Sequence, residues 1–154
     1  MDAEKISVRR LRATDREAWA PLWQGYLDFY REQIAPEVTD ETFRRLCEAA
    51  NGMLGLVAVD GSDRAIGIAH LVFHASTWAR EPSCYLEDLF VDRAARGARA
   101  ADRLFEAIYA TAREHGASKV YWMTQEFNAP ARSLYDTVGR LQSFVIYEHE
   151  LEQQ

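Results

Sequence analysis

The stretch Glu87–Leu104, "EDLFVDRAARGARAADRL", turns from a strand pattern into a helix pattern within a few residues. Its first five residues read as a strand and its last eight as a helix, with Arg96-Gly97-Ala98-Arg99-Ala100-Ala101 at the turn between them. A helix start leaves its first backbone N–H groups without internal acceptors and carries the positive end of the helix dipole. Gly97 and Ala98 keep side chains out of that concavity, and Arg96 and Arg99 add positive charge. This is the recipe for an anion site of the phosphate or pyrophosphate kind. An Arg-Gly turn is equally common as plain surface chemistry, so the turn alone leaves both readings open. It is neither a P-loop, for it lacks the lysine and hydroxyl, nor a GxGxxG dinucleotide fingerprint.

Working outward, Ile6–Leu11 alternates apolar and polar residues as a first strand does. Thr14-Asp15-Arg16-Glu17 has the spacing of a capping box ahead of a helix. That helix carries Trp19, Leu22, Trp23, Tyr26, Leu27, Phe29 and Tyr30, more apolar surface than one buried stripe needs. A second helix is expected from Thr39 to Ala50, stopped near Asn51-Gly52. Leu54–Val59 and Ala65–Phe73 read as strands joined through Asp60-Gly61-Ser62-Asp63. The pattern then predicts a strand near Tyr85–Val91, a helix over Arg99–His115, a strand at Lys119–Met123, a helix over Pro130–Val138 and a last strand at Phe144–Tyr147. The order β-α-α-β-β-β-α-β-α-β describes one α/β domain over residues 1–154, built around a mixed sheet.

The 24 acidic residues against 18 basic ones give a net charge of −6. That disfavours a nucleic-acid binder and suits attraction of small cations such as amines. No apolar stretch is long enough to span a membrane, and Met1–Lys5 lacks the apolar run of a secretory leader, so a cytoplasmic protein is expected. Cys47 and Cys84 read as core thiols. The four histidines show no metal-ligand spacing, so no metal site is expected.

The Arg96 turn resembles the cofactor loop of the GNAT superfamily, the acyl-CoA-dependent N-acyltransferases. Their pattern is Gln/Arg-x-x-Gly-x-Gly/Ala after a strand of the type Leu-x-Val. Arg96 fills its first position and Ala101 its last, while Arg99 stands where a glycine is usual. "LWQGYLDFY", "YLEDLFVD" and "RAADRLFEAIYATAREHGASKVYWMTQEFNAPARSLYDTVG" look like the fungal histone, polyamine and D-amino-acid acetyltransferases and their bacterial relatives.

The resemblance implies the GNAT fold, a mixed and mostly antiparallel sheet with helices on both faces. It implies acetyl-CoA as donor, its pantetheine arm beside Leu89, Phe90 and Val91 and its pyrophosphate on Arg96, Gly97, Ala98, Arg99, Ala100 and Ala101. Asn128 and Ala131 would meet the pantetheine arm, although Asn128 also reads as a helix cap. Tyr135 would protonate the departing thiolate; on its residue pattern alone it reads as a core aromatic. Adjacent strand residues face opposite ways, so one of Glu87 and Asp88 is expected in the acceptor pocket. The family arrangement selects Glu87 as the group that takes the amine proton and leaves Asp88 a supporting or interface role. Trp23, Tyr26, Tyr30, Trp122 and Glu126 are the acceptor-pocket candidates, because aromatic faces and a carboxylate suit an ammonium group.

The implied reaction is direct attack of a primary amine in a ternary complex. The implied acceptor is a small cationic amine or a lysine-containing peptide. Alternatives are a xenobiotic N-acyltransferase or a coenzyme A-binding regulatory module without catalysis. The relatives also imply a homodimer or a higher homo-oligomer, with Phe144–Tyr147 as an edge strand.

Overall fold

A computed structural model describes residues 5–97 and 99–153. Ala98 therefore lies outside the described residues. The chain divides into two compact units, Met1–Met123 and Thr124–Gln154.

The first unit holds a five-stranded mixed sheet in the order β1 (Ser7–Arg10), β2 (Met53–Val59), β3 (Ala65–His74), β4 (Ser83–Val91) and β5 (Lys119–Tyr121). The first three pairings are antiparallel and β4–β5 is parallel. Three helices accompany it: α1 (Arg16–Phe29), α2 (Pro36–Glu48) and α3 (Ala100–Glu114). Trp19, Leu22 and Leu27 of α1 and Phe43 and Leu46 of α2 form one core with Val57, Val59 and Ile68. Gly67, the neighbour of Ile68, faces Leu104 of α3 instead. Successive strand residues point to opposite faces, so the helices cover both sides of the sheet.

The chain enters α1 differently from the expected capping box. Asp15 occupies the N-cap position without capping. Its carboxylate accepts two hydrogen bonds from Arg9 at 2.8 and 2.9 Å and one from the Arg12 N–H at 2.7 Å. A bidentate guanidinium is a stronger partner than a helix N–H, and it ties β1 to the start of the helix. It also holds the Asp15 carboxyl below its ordinary range. Helix α2 begins at Pro36, three residues earlier than Thr39, because proline's fixed φ and missing N–H suit the first helical position.

In the second unit, α4 (Ala129–Val138) matches the expected helix. The expected last strand is absent among the described residues. Residues 140–153 have no regular structure, and Phe144, Val145, Ile146 and Tyr147 are 67–92% exposed. A strand exists only by pairing, and strand propensity alone cannot supply the neighbour.

Candidate active site

Strand β4 carries most of the candidate site, and its two edges differ. On one side it pairs with β3 from Ser83 to Val91. On the other, β5 pairs with it only at Ser83, Cys84 and Tyr85. Beyond Tyr85 that edge, including Leu89, Phe90 and Val91, has no strand partner among the described residues. Such an edge can take an extended ligand arm by main-chain hydrogen bonding. Gly25 of α1 makes room for the Phe90 ring, since a Cβ there would lie 2.7 Å from it.

After β4 the chain turns into α3, whose first turn has no side-chain cap. Arg96 folds back on the strand: its Nε donates to the Val91 carbonyl at 3.3 Å and its guanidinium lies over the Phe90 ring. Gly97 has φ +91°, and a Cβ there would meet open space. Arg99 takes the left-handed conformation, φ 65° and ψ 21°, at the N-cap of α3, and its Nε pairs with Asp102 at 3.3 Å. The backbone at this position is the one glycine adopts without cost, which accounts for the family's glycine there. Ala100 is buried and Ala101 half-buried. An uncapped helix start, an open glycine and two arginines fit a pyrophosphate, and the open β4 edge fits a pantetheine arm.

The Arg99 conformation carries a prediction. Left-handed backbone costs a side-chain-bearing residue roughly 1–2 kcal/mol. The exposed Arg99–Asp102 pair returns about 0.3 kcal/mol, and glycine costs more unfolded-state entropy. Arg99→Gly should therefore raise stability by about 0.5–1 kcal/mol, a Tm increase of about 1–4 °C. Thermal unfolding reads it, and a Tm that falls would contradict the strain assigned to this turn.

The acceptor side is organised by a break in register. Across β3 and β4, His70 pairs with Asp88 but Leu71 pairs with Leu86, so Glu87 is the extra residue of a β-bulge. The bulge corrects the alternation expected for Glu87 and Asp88. Tyr85 and Asp88 both fall on the α1 face, with Glu87 between them. Asp88 points inward, 9% exposed, and its Oδ2 lies 2.8 Å from His70 Nδ1. Glu87 is solvent-accessible, yet partial burial and then the charge of Asp88 raise the pKa of its carboxyl, against a smaller lowering by His70.

Aromatic groups surround this pair. The Tyr26 hydroxyl donates to the Glu87 carbonyl at 3.5 Å, and its pKa is raised by burial and then by Asp88. Tyr30 packs 5.0 Å from Tyr26, and burial and Asp88 raise its pKa too. Tyr85 is pushed up to about 12 by burial, then by Glu87 and Asp88. It stacks at 4.9 Å on Tyr121, whose hydroxyl lies 2.7 Å from His74 Nε2.

Two acceptor candidates are elsewhere. Trp23 is buried between Trp19 and Tyr26, its N–H directed at Thr39 Oγ1, so it backs Tyr26 as a core residue. Trp122 packs at 5.0 Å on Phe105, a buried α3 residue, on the sheet face away from α1. The structure does not bring these two to the carboxylate pair. Sequence reasoning missed His70, Tyr85, Tyr121 and His74. A signal for His70 existed, a single imidazole inside the apolar strand Ala65–Phe73.

Glu126, Asn128, Ala131 and Tyr135 belong to the second unit. Asn128 is the N-cap residue of α4, but its side chain makes no capping bond; Nδ2 donates to Thr124 Oγ1 at 3.2 Å. The Glu126 carbonyl accepts from Arg132 at 2.7 Å. Ala131 and Tyr135 lie on α4, where the Tyr135 carbonyl accepts the Gly139 N–H at 2.8 Å. Among the described residues, no helix is long and apolar enough to cross a membrane.

Residues 19–139 match the family model described as the acetyltransferase (GNAT) family. The D-amino-acid N-acetyltransferase HPA3 of Saccharomyces cerevisiae is 34% identical over 146 residues, covering 94% of this chain and 91% of that protein. A crystal structure of a probable acetyltransferase superposes with a TM-score of 0.82 at 23% identity, over 96% of this chain and 99% of the other. The structure of AAC(6')-Iy with the bisubstrate analogue CoA-S-monomethyl-acetylneamine has a TM-score of 0.81 at 16% identity, over 96% and 99% of the two chains.

Proposed function

The chain belongs to the acetyltransferase (GNAT) family and is an acetyl-CoA-dependent acetyltransferase; from that premise we propose that its acceptor is a small free primary amine, such as a polyamine or an amino acid. The observation that carries this reading is the Glu87–Asp88 pair at the β4 bulge with Tyr26, Tyr30 and Tyr85 around it. Two carboxyl groups with aromatic faces attract an alkylammonium and hold it before it loses its proton. The activity of the yeast relative on D-amino acids supports a small acceptor.

When bound, acetyl-CoA supplies an activated thioester carbonyl and a thiolate leaving group. In this proposal Leu89, Phe90 and Val91 hold the pantetheine arm by main-chain bonds, and an N–H at Leu89 or Phe90 faces the thioester oxygen. Arg96, Gly97, Arg99, Ala100 and Ala101 hold the pyrophosphate; Asn128 and Ala131 meet the arm. Glu87 takes the ammonium proton, directly or through water, which frees the nitrogen lone pair to attack. Tyr135 returns a proton to the thiolate sulfur. Residues 1–154 act as one catalytic domain working inside the cell.

A panel of spermidine, D- and L-amino acids and a lysine-containing peptide, with acetylated product read by mass spectrometry, tests the acceptor class. A small free amine should give the highest kcat/KM; preference for the peptide sinks the small-amine reading.

The exposed Phe144, Val145, Ile146 and Tyr147 support assembly as a homodimer in which these residues become covered. Light scattering at micromolar concentration checks it, and a monomer with and without acetyl-CoA overturns it.

A further inference from the structure

A hydrogen-bonded chain runs from the core to the carboxylate pair. Trp19, fully buried, donates its Nε1–H to His70 Nε2 at 3.1 Å. An indole nitrogen can only donate, so Nε2 of His70 is the acceptor and carries no proton. The single proton of the neutral imidazole then sits on Nδ1, which donates to Asp88 Oδ2 at 2.8 Å. A protonated His70 would set two donors face to face at Trp19. The ring is also packed by Trp19 at 5.9 Å and Trp23 at 5.3 Å. His70 is thereby fixed in one tautomer and has no free lone pair with which to act as a base. Its outward hydrogen bond goes to Asp88.

Asp88 accepts from His70 Nδ1, and its charge lies close enough to the Tyr26 hydroxyl to raise that group's pKa. Trp23 stacks on Tyr26 at 5.4 Å and 14–11° separates the planes along the Trp19–Trp23–Tyr26 series, which fixes the Tyr26 ring beside the bulge. The groups near Glu87 are Tyr26 from α1, His70 from β3, and Tyr85 and Asp88 on its own strand, with Tyr30 beside Tyr26 and Tyr121 of β5 stacked on Tyr85. Among these Asp88 is the fixed anion.

We propose that Trp19 and His70 are positioning residues that hold the Asp88 carboxylate in place beside the bulge, where it draws the acceptor ammonium to the neighbouring Glu87. The inference rests on the reading of Glu87 as the group that deprotonates an amine. It divides the work of the two acids: Asp88 supplies standing charge from a buried position, and Glu87, reaching solvent, exchanges protons. The raised proton affinity of Glu87 agrees with this division.

Asp88→Asn keeps the shape and still accepts from His70, but removes the charge. KM for a cationic alkylamine should rise about tenfold, while that for an alkoxyamine, uncharged at neutral pH, stays within about a factor of two. Removing the negative neighbour lowers the Glu87 pKa, so the acid limb of kcat/KM should move to lower pH. His70→Phe should move both readouts the same way, and His70→Asn, which can again donate to Asp88, should restore part of each. Coenzyme A affinity by calorimetry should be unchanged in all three. Nitrogen NMR of the wild-type protein should show His70 protonated at Nδ1 and bare at Nε2; the opposite tautomer overturns the proposal. So does an Asp88→Asn variant with altered Tm but unchanged acid limb and unchanged discrimination between the two acceptors. If Glu87→Gln is itself as active as wild type, the deprotonation reading fails and this inference falls with it. If Glu87→Gln is impaired and Asp88→Asn is not, the inference alone fails.

Discussion

Replacing Tyr135 by phenylalanine should lower turnover by about 10- to 1000-fold, the range of a positioned proton donor, with folding and coenzyme A affinity retained. The substitution keeps the ring that α4 presents and removes only the hydroxyl. A phenol of pKa about 10 donating to a thiolate of pKa about 8.5 works against a gradient of roughly 1.5 units, which is modest at contact distance. Without that proton the thiolate leaves as an anion, and reversal competes with product formation. The loss should appear in kcat rather than in KM for acetyl-CoA, because ground-state binding does not use the hydroxyl. Single-turnover rates at saturating donor provide the check. Wild-type chemistry in Tyr135→Phe would remove this residue from the acid role.

The second large effect belongs to Glu87. Glu87→Gln should cost about 100-fold or more in kcat/KM near neutral pH. That deficit should shrink as pH rises. An amine with pKa about 10 becomes neutral, and the neutral fraction grows by roughly a thousandfold between about pH 6.5 and 9.5. A neutral acceptor has less need of a base. In the wild type, burial and Asp88 raise the Glu87 pKa, so the acid limb of the rate profile should lie above the ordinary carboxylate range. A deficit that is constant across the profile would leave Glu87 an orienting group only.

The part of this site that could be read in advance is local in the chain. Strand, glycine turn and helix follow one another from Glu87 to Leu104, and each has its own residue pattern. The open edge of β4 was legible only through the family likeness, because the end of β5 pairing is a property of two strands far apart in sequence. The bulge at Glu87 was hidden for a similar reason. It is a mismatch of register with β3, and nothing in "YLEDLFVD" announces it. That one residue resets the alternation along β4 and puts Asp88 on the α1 face beside His70. Trp23 and Trp122 were misplaced because an aromatic residue reads alike whether it backs a pocket or lines one. The capping box expected of Thr14 and Glu17 is not what starts α1; Asp15 stands at the N-cap, its carboxylate taken by a bidentate partner on β1, a tertiary contact stronger than a local one. Phe144–Tyr147 has the residues of a strand, but a strand also needs a neighbour.

Acetyl transfer from acetyl-CoA to an amine held at the β4 bulge is the proposed chemistry on which the residue assignments rest. The most direct measurement is free-thiol release from acetyl-CoA by the purified protein, with and without a primary amine, alongside the yield of acetylated amine. Little release is expected without amine, and amine-dependent release is expected with one acetylated product per thiol. Coenzyme A binding with no amine-dependent release from any acceptor in the panel would contradict it.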